Sequence, residues 1–196
     1  MSLYKSIVTV IKRFSRKWPS LCFYVMDKPF LKSSGHAYFL GKDFSFHNHK
    51  YIAIGDKFVA LQRCRVEAID TYEGESFKPE IIIGDNVNFN TDIHIACINK
   101  VIIGNNVLLA SRIFISDHSH GEVSKEAISK PPSRRNLVSK GPVIIEDNVW
   151  IGEGVSILPN VTIGKNSIIG SNAVVTKSFP ENSVIAGIPA ILVKSL

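Results

Sequence analysis

From Ile145 onward an aliphatic residue occupies every sixth position: Ile145, Ile151, Ile157, Ile163, Ile169 and Val175. Four places after each come Val149, Val155, Val161, Ser167, Ala173 and Phe179, mostly aliphatic or small. Three places after each come Asn148, Gly154, Asn160, Asn166, Asn172 and Ser178. A period of six fits neither the 3.6 of a helix nor the 2 of a continuous strand. It describes a short strand, a turn, and the same again. Asn and Gly tolerate the left-handed backbone that a sharp turn can require, so they suit the corners. The aliphatic residue that opens each unit points inward and stacks on its counterpart one coil away. This is the sequence form of a parallel β-helix built from six-residue units.

The period extends upstream. Ile83, Phe89 and Ile95 keep it, with Val87 and Ile93 four places after the first two, and Ile103, Leu109 and Ile115 keep it with Val107 and Ile113. Val101 and Ile102 sit between those blocks as a two-residue slip, which a corner can absorb. A weaker version begins near Ile54-Gly55-Asp56, so one stacked array accounts for most of the chain from about residue 50. A β-sandwich is disfavoured because its strands would recur every ~8–12 residues.

A chain of 196 residues makes one domain or one domain with an appendage: a basic, helical N-terminal segment over 1–35 and a β-helix over 36–196. The longest apolar runs fall far short of the ~18 residues that span a bilayer. No apolar stretch followed by a small-residue cleavage site opens the sequence. Cys22, Cys64 and Cys97 are odd in number and lack metal-ligand spacing, which suits reduced thiols in the cytoplasm. The net charge of +6 concentrates at the N-terminus, in Lys5, Lys12, Arg13, Arg16, Lys17, Lys28 and Lys32. Ile7, Val8, Val10, Ile11, Phe14 and Trp18 interleave with them. That pattern fits a helix capping the open end of the array, which solenoids require, or one lying on an anionic membrane surface at the inner face. No aromatic stacking motif supports nucleic-acid binding.

The period fails conspicuously after Ile115. Ser116-Asp117-His118-Ser119-His120-Gly121 leads into some twenty residues without hexads, and Val143-Ile144-Ile145 restarts the coil. Within the loop, over 119–141, lie Lys130, Pro131, Pro132, Arg134 and Arg135, which cannot join the stack. Long loops in compact arrays are usually functional or disordered, and loops on a rigid scaffold are where catalysis concentrates. Two histidines at its entrance favour function.

Asn148-Val149-Trp150-Ile151-Gly152, Val161-Thr162-Ile163-Gly164, Val174-Val175-Thr176-Lys177 and Ala186-Gly187-Ile188-Pro189-Ala190 resemble the C-terminal half of the hexapeptide-repeat O-acetyltransferases. That family includes the galactoside and maltose enzymes and the sugar O-acetyltransferases of bacterial O-antigens and capsules. The resemblance covers residues from about 81 to 196 and scarcely touches the first fifty. It implies a left-handed β-helix, a homotrimer with active sites between neighbouring subunits, and acetyl-CoA as donor, with no metal required.

The resemblance also implies roles. The family's catalytic histidine, at the same break in the repeat, aligns with His118 through Ser116-Asp117-His118, although Ser119 stands where the family has proline. His120 is the competitor. Histidine titrates near neutrality and can take the proton of a sugar hydroxyl. His118, His120 and His94 form an alternative three-histidine zinc site, as in carbonic anhydrases of the same fold, whereas His36, His47 and His49 lie outside the motifs. Asp92 is expected at the acceptor, and Asp117 either at the acceptor, on a hydroxyl, or holding the loop, with adjacent side chains diverging too far for Asp117 to orient His118. Trp150, Gly152 and Ser171 are expected along the pantetheine arm. Thr176, Lys177 and Lys194 fall near the nucleotide, and Ala186, Gly187 and Pro189 against adenine. The Ser139-Lys140-Gly141 segment is a candidate source of an oxyanion-binding N–H. The reaction expected is acetyl transfer to a sugar hydroxyl of a surface polysaccharide or its precursor. N-acetylation of an amino sugar nucleotide is the alternative.

Overall fold

The computed structural model describes residue 18 and residues 20–36, 38–122 and 124–196. Three parallel sheets wrap a triangular prism. The first face stacks Ser33–Ser34, Ile52–Ile54, Glu80–Ile83, Lys100–Ile103, Val143–Ile145 and Val161–Ile163. The second stacks Phe39–Leu40, Val59–Ala60, Asn88–Phe89, Leu108–Leu109, Trp150–Ile151, Ile168–Ile169 and Ser183–Gly187, closed by the antiparallel strand Ala190–Ser195. The third stacks Ser45–His47, Arg65–Ala68, His94–Cys97, Phe114–Ser116, Ser156–Ile157 and Val174–Val175. Coiling therefore begins at Ser33, inside the segment expected to be an appendage.

The inward residues are those the period marks. Ile83, Ile103, Ile145 and Ile163 stack in register on the first face, and Ile95, Ile115, Ile157 and Val175 on the third. All are essentially inaccessible to solvent. Each fully buried aliphatic side chain contributes about 1.5–3 kcal/mol, so the stack outweighs the weak propensity of strands only two to four residues long. The corners obey the same logic. Asn148, Gly154, Asn160, Asn166 and Asn172 all carry positive φ, although Ser178 does not. Along one corner the amide side chains of Asn86, Asn106, Asn148, Asn166 and Asn182 bond each to the next.

The coils are not uniform, and their irregularity is confined to one edge. From first face to second to third the inward residues step by six (Ile83, Phe89, Ile95; Ile145, Ile151, Ile157). The return from third face to first takes six residues between Ile157 and Ile163 but eight between Ile95 and Ile103. On that same corner lie the 3-10 turn His49–Tyr51 and the hairpin formed by Thr71–Tyr72 and Glu75–Ser76. The long loop leaves from it too. Insertions gathered on one edge of a solenoid mark its binding side.

At the N-terminal end, helical turns Phe23–Asp27 and Lys28–Phe30 close the prism. Phe23 is buried, with ring centroids 5.0 Å from Tyr38 and 5.9 Å from Phe46. Ser20 Oγ accepts from the Leu40 amide at 3.0 Å. The described part of this segment is thus a cap. Lys5, Lys12, Arg13, Arg16 and Lys17, on which the membrane reading depends, lie outside the described residues, as do Ile7 to Phe14. Among the described residues no helix is long and apolar enough to cross a membrane.

Candidate active site

The loop is anchored before it departs. Ser119–His120 pairs antiparallel with Leu137–Val138, so the excursion is a hairpin whose base is a continuation of the corner. Its interior carries the short helix Lys125–Ile128 and the turn Pro132–Arg134. The neighbouring hairpin clasps it from one side. Tyr72 Oη donates to the Ser133 carbonyl at 2.6 Å, and Asn136 Nδ2 donates to Glu75 Oε1 at 2.6 Å. The sequence pattern did not reveal this hairpin; its only signal is the Glu73-Gly74 pair, where both residues have positive φ.

At the loop's root, Asp117 is completely buried. Its carboxylate sits in the turn made by the two-residue slip. Oδ1 accepts from the Ile98 amide at 3.0 Å, and Oδ2 from Asn99 and Lys100 amides at 2.8 and 2.7 Å. Cys97 Sγ adds a contact at 3.2 Å. His118 Nδ1 lies 2.9 Å from Asp117 Oδ1. Burial pushes the Asp117 carboxyl up, but His118, the backbone donors and the thiol together outweigh it and hold the group below its ordinary range. Burial and the adjacent carboxylate push the Cys97 thiol well up, so it is inert. With Nδ1 bonded to the carboxylate, Nε2 is the ring atom left for chemistry, since no described residue bonds it. The His118 side chain retains 7% exposure.

These contacts correct two expectations about Asp117. Adjacent side chains do converge here, because the chain turns sharply after Ser116, whose hydroxyl bonds the His118 amide and carbonyl. Nor does Asp117 meet an acceptor: it has no exposed surface and its oxygens are occupied. Its carboxylate instead holds the loop's root, the other place expected for it, and contacts His118 Nδ1.

The remaining candidates separate. His120 is exposed on the hairpin, its ring 5.4 Å from that of Tyr72. His94 Nε2 lies 2.9 Å from Glu67, with Arg65 Nη2 against its ring and Phe114 beside it. The three histidines thus face different partners and do not converge as a zinc site would demand. Asp92 occupies the corner between second and third faces with positive φ, held bidentately by Arg63 at 2.6 and 2.7 Å. Ala96 is the partner of Ser116, and the four residue steps from Asp92 to Ala96 span about 13 Å of strand. Within one chain, Asp92 is therefore not brought to His118. Arg63 lowers the Asp92 carboxyl, as an ion pair does.

The sequence-derived donor residues fall on two of the three corners and on the terminal hairpin. Gly152 and Ser171 follow the second-face strands, beside the exposed Trp150. Gly152 is glycine because of coil stacking: a Cβ there would stand 2.7 Å from Ser171 N. Its N–H is also spent on the Ile169 carbonyl. Thr176 and Lys177 follow Val174–Val175 on the corner that carries His118, two coils further on, with Lys177 Nζ 5.7 Å from the Phe179 ring centroid. Ala186, Gly187 and Lys194 belong to the terminal hairpin, which turns through Pro189. The Gly141 N–H is bonded to Ser139 Oγ, which removes it as a free oxyanion donor.

Comparison with known proteins assigns the architecture. Residues 142–177 match the family model "Bacterial transferase hexapeptide (six repeats)". The chain is 45% identical over 151 residues to the Escherichia coli K12 protein named "Putative lipopolysaccharide biosynthesis O-acetyl transferase WbbJ", covering 75% of this chain and 73% of that one. It belongs to the hexapeptide-repeat acyltransferases. A solved galactoside acetyltransferase in complex with coenzyme A superposes with TM-score 0.60 at 27% identity, over 92% of this chain and 80% of that one. AntD, an N-acyltransferase from Bacillus cereus solved with dTDP-4-amino-4,6-dideoxyglucose and coenzyme A, superposes with TM-score 0.71 at 20% identity, over 88% of each, and shows the fold alone. The prism is accordingly the left-handed parallel β-helix of hexapeptide-repeat acyltransferases, and the Asp117–His118 pair stands at the root of this acyltransferase's long loop.

Proposed function

We propose that the chain is an acetyl-CoA-dependent O-acetyltransferase acting on a sugar hydroxyl of a bacterial surface polysaccharide or its precursor. The observation that carries this reading is the buried Asp117 carboxylate fixing His118 with Nε2 open, on the edge where the loops gather. The similarity to WbbJ over three quarters of the chain supports the acceptor class.

That geometry supports the following reaction. Asp117 accepts a hydrogen bond from Nδ1–H, which leaves the Nε2 lone pair for the acceptor hydroxyl. As Nε2 takes that proton, the hydroxyl oxygen attacks the thioester carbonyl and the charge formed on the ring faces a carboxylate. Collapse of the tetrahedral intermediate expels the thiolate of coenzyme A, which recovers the proton from Nε2. The transfer is direct, with no covalent acetyl-enzyme.

The active unit is a homotrimer. Within one chain, His118, Thr176 and Lys177 stand on one corner, while Trp150, Gly152 and Ser171 stand on or beside another face. A cleft between neighbouring subunits brings the two sets together and gives Asp92 access to a partner's acceptor. Leu108 and Trp150, adjacent in register and about half exposed, supply apolar surface for that contact. Location in the cytoplasm follows from the need for acetyl-CoA.

The test is an acetyl-CoA turnover screen against neutral sugars, oligosaccharides and nucleotide sugars, with His118→Ala as the variant. The expected loss is ~10²–10⁴-fold in kcat, with acetyl-CoA affinity little changed. His120→Ala should mainly raise the acceptor KM. Turnover that survives His118→Ala but not His120→Ala would reassign the base, and loss of neither would sink the site.

A further inference from the structure

The insertion edge carries a second feature. Lys32, Lys50, Lys78 and Lys100 surround an open concavity of about 540 Å³, with Tyr51, Pro79, Glu80 and Asn99 completing its wall. They come from four successive levels of the prism. Glu80 bridges Lys32 and Lys100 at 2.7 and 2.8 Å, and its carboxyl is lowered to about 2 by Lys100 first and Lys32 second. Lys50 pairs with Asp70 at 3.2 Å. Lys78 is exposed and has no carboxylate within ion-pair distance among the described residues. Four ammonium groups against two carboxylates leave two uncompensated positive charges.

The place of this concavity matters as much as its charge. Asn99 and Lys100, on its wall, supply two of the three amides that hold Asp117. Asn99 Nδ2 reaches Ser139 Oγ at the loop's root at 3.4 Å. The wall and the Asp117–His118 pair therefore share one rigid turn.

We propose that the concavity binds the diphosphate of an acceptor substrate. Lys78 would be the primary contact, with Lys100 and Lys32 turning from Glu80 towards the ligand, so that the attached sugar extends past Asn99 towards His118. A diphosphate matches the surplus of two charges, and clustered ammonium groups attract phosphate oxygens as point charges. The inference deepens the proposed acetyl transfer and rests on it for the sugar's destination, whereas anion binding is measurable without turnover.

Inorganic pyrophosphate titrated calorimetrically into the full chain at low salt is the direct probe. Lys78→Ala and Lys100→Ala should each weaken binding by about 5–10-fold, and Lys57→Ala, at a distant corner, should leave it unchanged. Binding should weaken as sodium chloride is raised, because the sites are solvent-screened. Two further probes separate the sources: tighter binding of UDP would assign the diphosphate to a nucleotide sugar, and tighter binding of farnesyl diphosphate to a lipid carrier. Pyrophosphate bound no better than sulfate, or bound equally by Lys78→Ala, would overturn the proposal. Acetyl-CoA binding measured alongside keeps that outcome distinct from failure of the transferase reading.

Discussion

Oδ1 of Asp117 lies 2.9 Å from Nδ1 of His118, the residue that follows it in the chain. A carboxylate rarely reaches its own neighbour's ring on an extended strand, because successive side chains alternate. Here the strand ends at Ser116, and the carboxylate is seated in amides from the coil beneath. One buried group thus ties the loop's root to the preceding coil and fixes the tautomer of the proposed base.

Asp117→Asn should separate these tasks. The amide keeps an acceptor oxygen for part of the backbone turn but turns an NH₂ towards donors. We expect a Tm lowered by several degrees and kcat reduced ~10²–10³-fold, with the acetyl-CoA KM nearly unchanged. A double-mutant cycle with His118→Ala provides the decisive readout. If Asp117 acts through His118, adding Asp117→Asn to His118→Ala costs almost nothing further in kcat. Additive losses would show that Asp117 serves only the fold.

Tyr72 ties two insertions together. Tyr72→Phe deletes the hydroxyl that donates to Ser133 and leaves the ring against His120. A hydrogen bond of this kind contributes about 0.5–1.5 kcal/mol, so loop opening should become about 2–10-fold more frequent. Hydrogen exchange over residues 130–138, or trypsin cleavage after Arg134 and Arg135, should rise by that factor while global Tm moves little. Unchanged protection in the variant would mean that the clasp does not hold the loop.

The prism was legible because its core is periodic. Within each coil from Ile83 to Val175 the inward positions follow from burying hydrophobic side chains at a spacing of six, and most of the positive φ values at the corners follow from Asn and Gly. Coils nearer the N-terminus were only faintly marked, because aromatic residues such as Phe58 and Tyr38 fill their interior and small residues such as Ala60 carry the step. His118 was visible as chemistry at a break in the period. Asp117 is legible as a residue that could hold the loop, but its bond to His118 is not, because that depends on amides from residues 98–100, and the two-residue slip supplying them reads as a tolerated defect. Asp92 carries a corner ion pair that no single-residue argument reveals.

Glu80 should contribute a measurable part of the chain's acid sensitivity. Its folded carboxyl titrates at about 2 against an ordinary 4.5, so between those values the unfolded chain binds more protons than the folded one. The stabilisation is therefore complete above about pH 4.5 and disappears as pH falls towards 2. The site is partly exposed and screened, so the contribution is about 1 kcal/mol rather than the full shift. Glu80→Gln should melt a few degrees lower at pH 7 and coincide with the unaltered protein near pH 2. A Tm difference that persists undiminished at pH 2 would rule out the ion pairs as its source.

The N-terminal cap offers the clearest stability test. Phe23 closes the open end of the prism by packing on Tyr38 and Phe46, and Tyr38 in turn meets Phe58 in the next coil. Phe23→Ala removes a buried aromatic, a loss that typically costs about 3–5 kcal/mol. A solenoid holds each coil mainly through its neighbours, so the damage should begin at that end. Cys64, buried in the second coil, reports it directly: iodoacetamide should label it at a markedly higher rate in Phe23→Ala under native conditions. Cys97, further along the stack, should stay protected. Val25→Ala, at an exposed position of the same segment, should change neither rate. Equal protection of Cys64 in Phe23→Ala and the unaltered chain would show that these turns lie against the prism without stabilising it.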